Sequence, residues 1–225
     1  MRRIGTSPLV VARIPMSDSH THQILEGDID APTFEAYISA GRIAVDTETS
    51  GLSWAADRLN LIQLSAQSVG GSLVRLSAGA APLLKDLLES RDVVKIFHFA
   101  PFDLRFITQL GVAQAQNIRC TKTASKLLDP QLDPKQHSLR ALLLRKLGVE
   151  ITKGEARTSD WSARSLSDSQ IRYALDDVAH LERLHSKLEK ELEERSLIEL
   201  YRQICDYIPI DALLETSGVP NPLSY

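Results

Sequence analysis

Cysteine, long apolar runs and net charge are all scarce in this chain, and each shortage closes off a class of explanation. The only two cysteines, Cys120 and Cys205, stand at no metal-ligand or redox spacing. They read as reduced core thiols and point to a reducing, cytoplasmic setting. No apolar stretch approaches the roughly 18 residues needed to cross a bilayer, so no membrane partner is expected. The net charge is only -3, whereas holding a long nucleic acid by its phosphates usually takes a basic face. Small or short anionic substrates remain open. What is present is a hydrophobic fraction of 43% over 225 residues, enough for one sizeable core without staples.

The amino-terminal stretch carries Arg2 and Arg3 ahead of a mildly apolar run from Pro8 to Pro15. Arg13 interrupts that run and no small-x-small cleavage site follows, which argues against a secretory signal. Residues 1–20 are expected to be a flexible leader with Met16 an alternative start, residues 21–215 a single domain, and residues 216–225 a tail.

Strands are expected at His22 to Leu25, Ile43 to Val45, Leu59 to Ala66, Ser72 to Leu76, Val93 to Phe97 and Asn117 to Cys120, with Gly70-Gly71 turning between two of them. Helices are expected from Ala31 to Ala40 with Asp30 as cap and Gly41 as stop, and from Pro82 to Glu89, Pro101 to Leu110, Thr121 to Leu128 and Leu139 to Leu147. Ser167 should cap one long helix through about Glu194, striped by Leu181, Leu184, Leu188 and Leu192, and a last helix should run from about Leu197 to Leu214. Strands early and helices late suit one α/β domain, a mixed sheet flanked by helices.

The stretch Arg42 to Leu52 joins an apolar strand to a loop that opens with Asp46 and Glu48. Residues i and i+2 of an extended chain share a side, so the two carboxylates repel unless water or a cation sits between them. A divalent metal site and a solvated loop start are both compatible with that pair. Asp103 falls in the first turn of a helix, where the dipole alone favours an acid. Four phenylalanines flank it between Phe97 and Phe106, so an inward-facing carboxylate there needs a partner. Tyr173 and Asp177, four apart on a helix, project together, either as a surface pair or as part of a site.

Asp46-x-Glu48 at a strand end, Asp103 in a later helix and Tyr173-x-x-x-Asp177 in a final one resemble, in order and context, the three exonuclease motifs of the DEDD superfamily, tyrosine subclass. Asn60-Leu61-Ile62-Gln63-Leu64, His98, Ser159-Asp160-Trp161 and Arg164-Ser165-Leu166 resemble ribonuclease D over residues 40–190, and the short form resembles the nano-RNase C group. The resemblance implies a ribonuclease H-like exonuclease fold and a metal-dependent 3′-5′ exoribonuclease. It would release nucleoside 5′-monophosphates from short single-stranded oligoribonucleotides, dinucleotides foremost. Catalysis would rest on Asp46, Glu48, Asp103, Tyr173 and Asp177, with the four acids holding two divalent cations, magnesium or manganese.

By the same resemblance, Thr47 and Glu48 would receive the terminal 3′ hydroxyl, and Leu52 would wedge against the last bases. Leu52 reads equally as a loop residue folded onto the core. His98 would contact the scissile region or satisfy a buried carbonyl, and Lys153, Arg157 and Arg164 would bind phosphate or stand solvated. The group's assembly implies a homo-oligomer, an octamer in form, to which the leucine stripe and the stretch from Pro209 to Tyr225 would contribute. A DNA 3′-5′ exonuclease and a catalytically silent nucleic-acid-binding module are the alternatives.

Overall fold

The computed structural model describes residues 10–15, 21–77, 79–151, 159–163, 165–219 and 221–223. Ile43, Ala44 and Val45 are wholly buried, and the strand they open, β3 (Arg42–Thr49), lies inside a seven-stranded sheet for that reason. Its antiparallel neighbour β4 (Leu59–Ala66) pairs with β5 (Gly70–Arg75), again antiparallel. On its other side β6 (Val94–Phe97) and then β7 (Ile118–Cys120) run parallel to it. Beyond β5 come β2 (Thr21–Glu26), parallel to β5, and β1 (Val10–Pro15), antiparallel to β2. The expected mixed sheet is present, and its order places the start of the acidic motif at the centre.

Helices α1 (Ala31–Ala40), α2 (Pro82–Glu89), α3 (Ala100–Ile107), α4 (Thr121–Leu128), α5 (Leu139–Leu147), α6 (Asp168–Ala179), α7 (Leu181–Glu194) and α8 (Ile198–Thr216) flank the sheet. Local chemistry sets most of their ends. Asp30 accepts from the Thr33 amide at 2.9 Å at the start of α1, and Ser167 with Gln170 forms a reciprocal capping box at the start of α6. Most buried apolar residues form one core. A smaller second core, built from Ile24, Leu61, Leu73, Trp161, Ile171, Tyr173, Ala174 and Leu175, seats α6 against β3, β4 and β5.

The structure corrects three expectations. Val10–Pro15, assigned to a flexible leader, is a strand that pairs with β2. Gly70 and Gly71 lie inside β5, paired with Ala66 and Ser65, and the turn is made by residues 67–69. A Cβ on Gly71 would come within 2.7 Å of Leu175 Cδ2, so that glycine serves the close seating of α6 on the sheet. The single long helix is two, broken at His180 with φ -111° and ψ -1°, which lets α6 face the acids while α7 turns its leucine stripe onto α4 and α5. The last helix, expected from about Leu197 to Leu214, is present as α8 with Pro209 buried inside it.

Candidate active site

Asp46 and Glu48 lie opposite Gln63 and Leu61 across the β3–β4 pairing, so the two-residue period puts both carboxylates on the face that α6 covers. From that helix comes Asp177, and oxygen atoms of Asp46, Glu48 and Asp177 all lie within 4.8 Å of one another. Three carboxylates so close repel strongly in a partly buried site. A hard divalent cation relieves that: its oxygen ligands stand about 3 Å apart around bonds of roughly 2.1 Å, a contraction that small side-chain rotations supply. The donor set, oxygen only and anionic, fits magnesium or its chemical kin.

Asp103 approaches from the first turn of α3 and is 4% exposed. Its Oδ1 accepts from the Thr47 hydroxyl at 2.7 Å, so the side chain between the two strand acids fixes the second motif's carboxylate. Burial pushes the Asp103 carboxyl up to about 7, with the nearby Asp177 adding to the rise and the Thr47 hydrogen bond opposing it. That is the behaviour of an acid placed for a cation that supplies the missing positive charge.

Tyr173 and Asp177 project together from α6, as their spacing predicts, and the phenol hydrogen-bonds the Asp177 carboxylate. Burial raises the phenol's pKa further above its ordinary value, and the charges of Asp177, Glu48 and Asp46 add to the rise. Tyr173 therefore stays protonated at neutral pH and serves as a hydrogen-bonding group, not as a base. Its ring packs against Trp161 with centroids 6.0 Å apart, which gives the one large residue of the Ser159–Trp161 stretch its purpose.

The loop after β3 presents Leu52 with 86% of its surface exposed. It is not folded onto the core, which removes the second reading of that residue. The loop is internally closed: Ser50 N donates to Arg58 O at 2.9 Å, and Ser53 N donates to Asp57 Oδ2 at 2.8 Å. A Cβ on Gly51 would lie 2.4 Å from the Asp57 carboxylate, so only glycine allows that closure.

His98 lies at the end of β6, its Nδ1 2.9 Å from the Thr121 hydroxyl, which in turn donates to Phe97 O at 3.2 Å. Lys153, Arg157 and Arg164 lie outside the described residues. Three contributors escaped the sequence reading. The Thr47 side chain holds Asp103, Gln63 Nε2 donates to Glu48 Oε1 at 3.4 Å, and Lys122 sits 4.3 Å over the exposed ring of Phe99 beside His98. The first two depend on cross-strand register, which no local signal reveals. The Phe99 and Lys122 pair depends on α3 and α4 starting side by side.

Comparison with known proteins agrees with this geometry. The profile of the 3′-5′ exonuclease family matches residues 29–193. Ribonuclease D of Zymomonas mobilis is 31% identical over 172 residues, 74% of this chain and 43% of that protein; the chain spans less than half the length of such curated relatives. Among solved structures, Brucella melitensis NrnC bound to pGG is 33% identical, covers 92% of this chain and 100% of its own, and superposes with a TM-score of 0.83. The same protein with bound Mg2+ is 32% identical over 91% of this chain and 97% of its own, with a TM-score of 0.80. On these matches the chain belongs to the 3′-5′ exonuclease family, in its ribonuclease D-like DEDD group with a ribonuclease H-like fold and divalent metal use.

Proposed function

We propose that this protein is a 3′-5′ exoribonuclease that hydrolyses short oligoribonucleotides, dinucleotides foremost, to nucleoside 5′-monophosphates. The observation that carries the reading is the meeting of Asp46, Glu48 and Asp177 with a protonated Tyr173 beside them. Asp46, Glu48 and Asp177 would hold one divalent cation, and Asp46 with Asp103 a second, Asp103 through water. When bound, such cations supply activation of the attacking water and charge stabilisation for the departing 3′ oxygen.

The remaining work falls to side chains. Tyr173 accepts a hydrogen bond from the attacking water and aims it in line with the scissile bond, while its own O–H donates to Asp177. Thr47 keeps the Asp103 carboxyl in place through its hydroxyl. Its backbone and the Glu48 carboxylate receive the terminal 3′ hydroxyl. Leu52, standing clear of the core, packs its apolar face against the last bases, and His98 contacts the scissile region.

Short substrates are favoured by the weak net charge of -3, by the pGG carried by the similar Brucella protein and by the reach of Leu52, exposed over 86% of its surface. The cytoplasm is the proposed setting and a homo-oligomer, an octamer, the proposed assembly; sedimentation of the purified chain tests the latter. The deciding experiment is a time course on 5′-labelled RNAs from two to about ten residues, the range a single-domain site can grip, with magnesium, with manganese and with EDTA. Stepwise loss from the 3′ end, fastest at length two and absent in EDTA, is expected. Equal rates at all lengths overturn the length preference, and faster cleavage of matched DNA makes the protein a DNA exonuclease. No cleavage in any metal leaves a silent binding module.

A further inference from the structure

The loop that carries Leu52 is held from outside as well as from within. Gln109, at the end of the α3 segment, donates from Nε2 to Trp54 O at 3.1 Å and to Asp57 O at 2.9 Å, and its Oε1 accepts from the Leu59 amide at 3.0 Å. Glu215, one residue from the end of α8, accepts from Trp54 Nε1 at 3.1 Å through Oε1. Its Oε2 meets Arg105 of α3 at 2.5 Å, and Arg105 also reaches Asp211 one turn earlier on α8 at 3.5 Å. One carboxylate thus joins three elements: the Leu52 loop, the helix that bears Asp103, and the last helix.

We propose that Glu215 is a positioning residue for substrate binding, fixing the Leu52 loop at a set distance from the metal-binding acids. It lies beyond the matched family region, which ends at residue 193. The physical case rests on what the loop lacks. Its tip is a leucine 86% exposed, so no packing of its own side chain holds it. Rigidity at the tip must come from the base, where Trp54 is half-buried against the main core and its indole N–H donates to Glu215. A loop ordered before binding loses less conformational freedom when a base packs on it, which appears in KM and not in the chemical step. The inference rests on the reading that Leu52 packs against substrate.

The test compares Glu215→Ala, Trp54→Phe, Leu52→Ala and the Glu215→Ala/Leu52→Ala double variant on a dinucleotide with magnesium. Glu215→Ala and Trp54→Phe are expected to raise KM about three- to fivefold, the scale of a half-exposed pair, with kcat unchanged. In the double variant KM should equal that of Leu52→Ala alone, because the loop then has no tip to position. Acrylamide quenching gives a readout apart from activity. The chain has two tryptophans, and Trp161 is 4% exposed, so added quenching in Glu215→Ala reports release of Trp54. A Glu215→Ala enzyme with unchanged KM, where Leu52→Ala raises it, overturns the positioning role alone. Unchanged KM in Leu52→Ala removes the substrate contact and this role with it. KM increases that multiply in the double variant mark a general structural effect and also overturn the role.

Discussion

The two ends of β3 each gather charge in a partly buried setting and resolve it in opposite ways. At its start, Arg42 donates to His185 Nδ1 at 2.7 Å and to Glu189 Oε2 at 3.0 Å. Arginine can only donate, so His185 accepts at Nδ1 and carries its proton on Nε2, which faces Tyr201 Oη at 3.0 Å. Tyr201 receives the Cys120 amide at 2.9 Å and donates to the Cys120 carbonyl at 3.3 Å. Burial pushes His185 down to about 4, with Glu189 opposing, so the imidazole is neutral and the charge in contact with it is the Arg42–Glu189 pair. The Arg42 end is balanced by its own residues. Four residues along, Asp46, Glu48, Asp177 and Asp103 bring like charges together. A folded chain keeps the first arrangement for packing; the second costs stability and persists where a cation completes it.

Substitutions that exchange the two behaviours test this contrast. Asp46→Asn removes a carboxylate proposed to hold metal and is expected to lower kcat with magnesium by at least about 10³, since metal activation supplies several kcal/mol. The metal-free protein should unfold at the same denaturant concentration or a higher one, because a repulsion has gone. Wild-type turnover in Asp46→Asn would refute the metal assignment. Tyr173→Phe keeps the packing on Trp161 and loses only the hydroxyl. It is expected to reduce kcat about 10²-fold, the lower range for a positioned hydrogen-bonding group, with KM nearly unchanged, as steady-state kinetics on a labelled dinucleotide will show.

At the balanced end the outcome reverses. Arg42→Met should leave kcat within about twofold yet cost about 2 kcal/mol in urea unfolding, less than a fully buried pair because Arg42 is 32% exposed. His185 would be left with an unmet acceptor and Glu189 with a lone charge. If Arg42→Met cost catalysis and spared stability, the two ends would not differ as described.

Legibility in the sequence followed the range of the interaction concerned. Asp30, Ser138 and Ser167 cap helices through contacts within three residues, so those starts were readable from side-chain type alone. The spacing of Tyr173 and Asp177 was readable because a helix fixes it. The break at His180 was not, since no proline or glycine marks it and the leucine stripe continues past it; tertiary packing of α7 decides it. Gly70-Gly71 misled because glycine also serves where another element comes close, and Leu175 is remote in sequence. The Thr47 link to Asp103 spans 56 residues and needs the sheet to be assembled before it exists.

The smallest effect concerns pH. The Asp103 carboxyl sits up to about 7 when folded, against an ordinary value of 3.8, so the folded state holds its proton more tightly than the unfolded chain. Stability from this group is full below the ordinary value and is lost as pH rises through about 7. In EDTA, that contribution should fall by about 1 kcal/mol from pH 6 to pH 8, read as the difference in slope between the wild type and Asp103→Asn, because buried His185 and Lys95, both pushed down, slope the other way in each protein. Magnesium favours the ionised acid and should flatten or invert that slope. Urea midpoints at the two pH values, measured in EDTA for the wild type and for Asp103→Asn, give that difference. Equal slopes in the two proteins would leave Asp103 with no such linkage, and the acidic end of β3 would then be no more strained without metal than the balanced one.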